Sequence, residues 1–280
     1  MRLRFCGTRG STPAPGAEFV RYGGHTSCVA ISLDGDAAPT LILDAGTGLR
    51  EVTPLLGGRP FTGVILLSHL HWDHVHGLPF FQGGDAEGAA VTVLLPEQED
   101  GASAETVLER GMSPPNFPIG PRDLRGRWTF GTAGPAEFGA AGFTVLAREV
   151  PHKGGRTYGY RISDGRSVVA YIPDHCPTAA GPGPDGVGEY HATALELARG
   201  ADVVIHDASL VAEELAAQAS FGHAAAEYVV GLARAAGARE AVLFHHRPDR
   251  TDDQLDEVGR RFTGAPIPVT VAAQQAVLTR

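Results

Sequence analysis

Ser68-His69-Leu70-His71-Trp72-Asp73-His74 directly follows the apolar run Val64-Ile65-Leu66-Leu67, and its reading organises the rest of the chain. Four side chains able to bind a metal fall within one short run. Packing alone rarely yields that density, because imidazole and carboxylate groups beside a buried strand must find partners or bear a desolvation penalty. In an extended segment side chains two apart share a direction, so His69 and His71 converge on one ion. Asp73 and His74 fall where the chain turns toward a helix, which aims them at a second ion beside the first. His76, in the same run, reads as a spectator.

Composition bounds what surrounds the run. Residues 1–280 read as a single domain, with 43% hydrophobic residues to supply a core. A formal charge of -9 and a pI near 5.7 provide no general field for a polyanion, which argues against nucleic acid as an obligate partner. Cys6, Cys28 and Cys176 are odd in number and form no C-x-x-C pair. That argues against a disulfide framework and a thiolate zinc cluster and suits a reducing compartment. The first residues lack the apolar core of a leader, and no apolar run reaches the roughly 20 residues that span a bilayer. The expectation is a soluble, cytoplasmic protein with no membrane partner.

Working outward, Arg2 to Cys6 reads as a strand ended by Gly7-Thr8-Arg9-Gly10, a loop whose small residues indicate a tight turn. Cys28–Leu33 and Thr40–Asp44 form a hairpin across Asp34-Gly35. Asp44 is either a helix-entry cap or a partner to a metal-bound histidine. Leu49–Leu56 reads as a helix, and Phe61–Leu67 as the strand that delivers the opening run. Val91–Leu95, Trp128–Phe130 and Phe143–Val150 are further strands, and Ser103 caps a helix through Gly111. The proline-rich loop Met112–Pro118 is either a surface crossover or a lid over the substrate. Tyr158–Ile162 and Val168–Ile172 pair across Asp164-Gly165. Helices follow at His191–Arg199, Leu210–Ala219 and His223–Ala236, with a capping box at Thr251-x-x-Gln254 opening a last one. The strands Asp202–Ile205 and Glu240–Phe244 lie among them, and Val269–Leu278 closes the sheet. The expected architecture is α/β: two sheets packed together, helices outside, and polar residues gathered at strand ends along one edge.

Histidines recur at those strand ends: His69, His71, His74, His152, His206 and His245. With Asp73 and Asp174 they offer nitrogen and oxygen donors only, a set that suits two divalent ions, zinc foremost, with manganese or iron also accommodated. A carboxylate such as Asp174 can bridge two cations through its two oxygens.

From the H-x-H-x-D-H run at His69 to His74, and from the later order of His152, Asp174 and His245, the chain resembles the metallo-β-lactamase fold superfamily. Gly7-Thr8-Arg9-Gly10, Gly159-Tyr160-Arg161, His206-Asp207-Ala208-Ser209 and Gly222-His223-Ala224-Ala225 make it most similar to the ribonuclease Z and phosphodiesterase-like branch. The resemblance implies a four-layer αββα sandwich. It implies that His69, His71 and His152 bind one metal, that Asp73, His74 and His245 bind the other, and that Asp174 bridges. It further implies that His223 protonates the leaving group, that Asp207 orients His223, and that Asp73 helps position the attacking hydroxide.

The sequence also departs from that branch. The span from His152 to Asp174 is too short for the long arm of tRNA-processing members, no hydroxyl residue follows His223, and Asp207 stands where a glutamate is more usual. The resulting expectation is a metal-dependent hydrolase of a small-molecule or nucleotide phosphodiester. A tRNA substrate is disfavoured and a homodimer is allowed. The alternatives are a lactonase or other carbonyl hydrolase on the same fold, or a non-catalytic metal sensor.

Overall fold

The computed structural model describes residues 1–280. Six strands, β1 (Arg2–Gly7), β2 (Cys28–Ser32), β3 (Leu41–Leu43), β4 (Thr62–Leu66), β5 (Ala90–Pro96) and β6 (Arg127–Ala133), come first. Then follow β7 (Glu137–Ala140), β8 (Phe143–Glu149), β9 (Tyr158–Ser163), β10 (Val168–Ile172), β11 (Val203–Asp207), β12 (Ala241–Phe244), β13 (Val269–Val271) and β14 (Val277–Thr279). They form two seven-stranded sheets, ordered β14-β1-β2-β3-β4-β5-β6 and β13-β12-β11-β10-β9-β8-β7.

Alternation along the strands explains the layers. On β3, Leu41 and Leu43 join a core that also holds Leu3, Ile31, Tyr160, Tyr171, Ile205 and Phe244 from both sheets. Ile42, between them, faces the opposite way, toward Leu49, Val52, Leu56 and Phe81. On β12, Val242 and Phe244 point inward, whereas Ala241 and Leu243 pack beneath Val229, Ala233 and Val258 of the outer helices. A period of two on strands covered on both faces gives helix, sheet, sheet, helix. The αββα sandwich is thus the arrangement the sequence led one to expect.

Several elements differ from that expectation. The segment Leu49–Leu56 is a 3-10 helix from Thr47 to Leu56, with Pro54 inside it, where a missing N–H cannot complete an α-helical turn. The helix expected over Leu210–Ala219 is broken into Ala212–Glu214, Leu215–Gln218 and Ala219–Phe221. Its start is pinned: the Leu210 N–H donates to Ala224 and its carbonyl accepts from Ala226. The same bridge delays the next helix, which runs Ala226–Ala235 rather than from His223. The tail does not form one strand, because β13 pairs parallel with β12 while β14 pairs antiparallel with β1 in the other sheet. The strand β7 was not anticipated; it lies antiparallel to β8 at the sheet edge.

Candidate metal centre and active site

In both sheets the polar residues sit just past strand ends. Asp44 follows β3, Ser68 and His69 follow β4, and Asp73 and His74 open the short helix Trp72–Val75. Across from them, His152 follows β8, Asp174 follows β10, Asp207 ends β11 and His245 follows β12. The strands β3 and β4 run parallel, as do β10, β11 and β12, so their C-terminal ends share an edge. Such edges are where open α/β sheets present ligands.

Two groups of donors meet there. His69, His71, His152 and Asp174 form one, and Asp73, His74 and His245 the other, with the ligand atoms of each within 4.8 Å of one another; His223 lies within the same reach of Asp174 and His245. Asp174 joins them. Its Oδ2 lies 3.5 Å from His69 Nε2 and 3.3 Å from His152 Nε2, while its Oδ1 lies 3.2 Å from His74 Nε2 and 3.0 Å from His245 Nε2. Asp73 Oδ2 is 3.2 Å from His74 Nε2 and 3.0 Å from His245 Nε2.

The opposite ring nitrogens are held from behind. His74 Nδ1 donates to Asp44 Oδ2 at 2.8 Å, and His152 Nδ1 donates to the Gly222 carbonyl at 2.8 Å. That leaves each Nε2 as the ring nitrogen aimed at the centre, the orientation of a metal-ligating histidine. Asp44 also accepts from the Ser68 N–H, the Ser68 hydroxyl and the Tyr171 hydroxyl, so it serves as the histidine partner and not as a helix cap. At the centre, His69 Nε2 and Asp174 Oδ1 are buried without a hydrogen-bond partner. An all-nitrogen-and-oxygen pocket with such orphaned atoms fits a divalent cation.

The electrostatics agree. Burial pushes His69, His71 and His152 below the ordinary histidine range, so their imidazoles are neutral. Burial also opposes charge on His245, yet Asp174 and Asp73 hold it up to about 10. His74 is raised in the same way against its burial, by Asp73, Asp174 and Asp44. Burial disfavours the Asp174 carboxylate, but His245, His74 and His69 keep it well below the usual range. The two carboxylates therefore draw positive charge into a buried space.

His223 stands at the rim. Its Nδ1 donates to Asp207 Oδ2 at 3.0 Å, and Asp207 is itself fixed by the backbone N–H groups of Ala224, His175 and Ser209. His223 shares a cavity of about 460 Å³ with Ser11, His71, His152, Lys153 and Ser209. Asp207 thus lies within hydrogen-bond reach of the His223 ring.

Other expectations change. His206 is in neither ligand group: it is buried, with Nδ1 donating to the Asp207 carbonyl at 2.8 Å and Nε2 3.1 Å from His175 Nδ1. Its strand continues to Asp207, so alternation turns His206 away from the residue that serves the site. His76 is exposed and stacks on Trp72, consistent with a spectator. Met112 and Phe117 line a separate apolar cavity of about 280 Å³ with Leu70, Trp72 and Phe80, and no member of either ligand group lines it. The Met112–Pro118 loop therefore lines a cavity distinct from the one that holds His71, His152 and His223.

The Gly7-Thr8-Arg9-Gly10 loop does more than turn. Arg9 is fully buried: its Nε donates to the Gly23 carbonyl, its Nη1 to the carbonyls of Arg247 and Arg250, and its Nη2 lies 3.6 Å from Asp252. This ties the loop to the chain that follows His245. A Cβ on Gly10 would come within 2.3 Å of the His245 ring, so only glycine leaves room there. Ser11, at φ +64°, donates its N–H to Asp73 Oδ2 at 2.7 Å. An arginine inside a run of small residues was the one sign of this role.

Comparison with known proteins places these features in a family. The chain matches the model of the beta-lactamase superfamily domain over residues 40–246, a span that includes every residue of both ligand groups. It is 24% identical over 289 residues to a ribonuclease Z of Limosilactobacillus fermentum, covering 88% of this chain and 87% of that protein. In fold it is similar to the metallo-beta-lactamase fold protein YhfI from Bacillus subtilis, with a TM-score of 0.72 at 19% identity over 99% and 98% of the two chains. It is similar also to a diphosphatase from the PhnP family, with a TM-score of 0.71 at 18% identity over 100% and 97%. The chain therefore belongs to the beta-lactamase superfamily, with the ribonuclease Z-like resemblance that its sequence motifs indicate.

Proposed function

We propose that the protein is a dinuclear metal-dependent hydrolase that cleaves a phosphodiester in a small molecule or nucleotide. The observation that carries this reading is Asp174, whose two carboxylate oxygens each face a different ligand group, beside a cavity that also holds His223. One divalent cation, zinc by its donor preference, would be held by His69, His71, His152 and Asp174, and a second by Asp73, His74, His245 and Asp174. Bound there, such ions supply Lewis acidity toward a phosphoryl oxygen and make a water acidic enough to attack at neutral pH.

The chain's own residues do the rest. Asp73, anchored by the Ser11 N–H, orients the attacking water. Asp207 holds Nδ1 of His223, leaving Nε2 to carry a proton to the departing oxygen. Burial opposes charge on His223, but Asp207 together with Asp174 raises its proton affinity above the ordinary histidine value, the direction that suits a general acid. Two features favour a small substrate over tRNA. The chain between His152 and Asp174 is taken up by the β9–β10 hairpin, with no long arm, and the net charge is -9.

The test is a substrate panel: bis(p-nitrophenyl) phosphate and cyclic nucleotides beside a lactone and a β-lactam. Turnover of the phosphodiesters supports the reading, and turnover of only the other two overturns it. His223→Ala should lower kcat roughly 10²- to 10⁴-fold for a phosphodiester with a poor alkoxide leaving group. The loss should be much smaller with p-nitrophenolate, which departs without a proton. A carbonyl hydrolase would instead leave His223→Ala nearly as active as the parent.

A further inference from the structure

Lys153 is the only lysine among the 23 basic side chains of this chain; every other one is an arginine. It lies next to His152 and lines the 460 Å³ cavity, exposed to solvent. It makes none of the molecule's ion pairs. Its Nζ donates to the Ser220 carbonyl at 2.9 Å and rests 5.3 Å from the centre of the Phe221 ring. The other cation lining the cavity, Arg247, is neutralised by Asp249 and Glu214. Lys153 is therefore the one uncompensated positive charge at the mouth of the site. A lysine provides a compact, strongly charged ammonium that a phosphate can approach from any side, which a planar guanidinium does not.

Phe221 is the second half of the feature. It is 57% exposed, an unusual state for a phenylalanine, and it too lines the cavity. The chain holds it there: the next residue, Gly222, has φ +86° and accepts from His152 Nδ1, and His223 follows, bound to Asp207. One short segment thus carries the open aromatic face, the carbonyl behind a candidate metal ligand, and the candidate general acid.

We propose that Lys153 and Phe221 form the recognition edge of the site, Lys153 pairing with a phosphate oxygen and Phe221 stacking a planar base. This assigns the substrate to phosphodiesters that carry a nucleoside. The inference rests on the phosphodiester reading above, but it is tested by binding, so the two can fail separately. Aromatic stacking is sequence-tolerant, so purine and pyrimidine nucleosides are both accepted.

The experiment uses AMP, ribose 5-phosphate and adenosine as probes, with affinities from calorimetry. AMP should bind about tenfold or more tightly than ribose 5-phosphate, the range that stacking on an aromatic side chain supplies. Phe221→Ala should abolish that difference and Phe221→Trp should keep it. Lys153→Ala should weaken AMP and ribose 5-phosphate by a similar factor and leave adenosine unchanged. As a second readout on the unmodified chain, acylation of Lys153 by an amine-reactive ester, followed by peptide mass spectrometry, should be slowed by AMP and not by adenosine. Equal affinity for AMP and ribose 5-phosphate, absence of binding by either, or an AMP preference that survives in Phe221→Ala would overturn the proposal. A substrate panel without phosphodiester turnover would overturn the hydrolytic reading and leave the binding result to stand or fall alone.

Discussion

Asp44 shows how a single side chain sets the properties of the centre. It sits at φ +58°, a conformation disfavoured for a residue with a Cβ, and its carboxylate gathers His74, Ser68 and Tyr171. His245 has the same φ of +58°, also one residue past a strand. In both cases the left-handed turn points a strand-end side chain back into the site. Asp44→Asn keeps the shape but weakens the acceptor that fixes the His74 tautomer. It should lower metal affinity by about 10- to 100-fold, measured by competition with a chromogenic chelator. The histidines that gather at the candidate metal centre were legible because they crowd into one motif or follow an apolar strand. The roles of Arg9, Gly10 and Ser11 were not, since nothing local tells a buttress from a turn; only the fold brings Gly10 against His245.

Among the elements, the last helix, Asp252–Arg261, supports the site from a distance. Its capping box, Thr251 with Gln254, formed as the sequence indicated. Asp252 at its first turn accepts from the backbone N–H groups of Arg21 and Tyr22, and Asp256 accepts from the Tyr22 hydroxyl at 2.7 Å. Through Arg9 and Asp252 the same helix reaches the Gly10 loop. Burial and then the neighbouring Asp256 push the Tyr22 phenol from its ordinary value near 10 up to about 12. A phenol with a raised value in the folded state contributes stability that is fully present below pH 10 and is lost as the pH rises toward 12. Stability in urea should therefore fall across that window, and the fall should be smaller in Tyr22→Phe. The segment Leu210–Ala219 reads as one helix because its composition favours one, but the structure breaks it. A bridge to Ala225, a non-local pairing, overrides that preference.

For the whole molecule, strand alternation and the positions of helices made the two-sheet sandwich readable, since inner and outer faces are both apolar and both covered. The exchange of the tail between sheets was hidden, because β13 and β14 are short and similar in character and only their partners differ. That exchange matters to the site: β14 pairs with β1, which leads into the Gly10 loop, whereas β13 pairs with β12, which delivers His245. Both sheets must be in register for the two ligand groups to meet at Asp174. The central claim is that the two groups hold two metals that work together. Chelator-treated protein titrated with zinc, with bis(p-nitrophenyl) phosphate hydrolysis followed at each addition, tests it most directly. The account predicts activity that rises to a plateau at two equivalents per chain; a plateau at one equivalent, or no hydrolysis at any ratio, would contradict it.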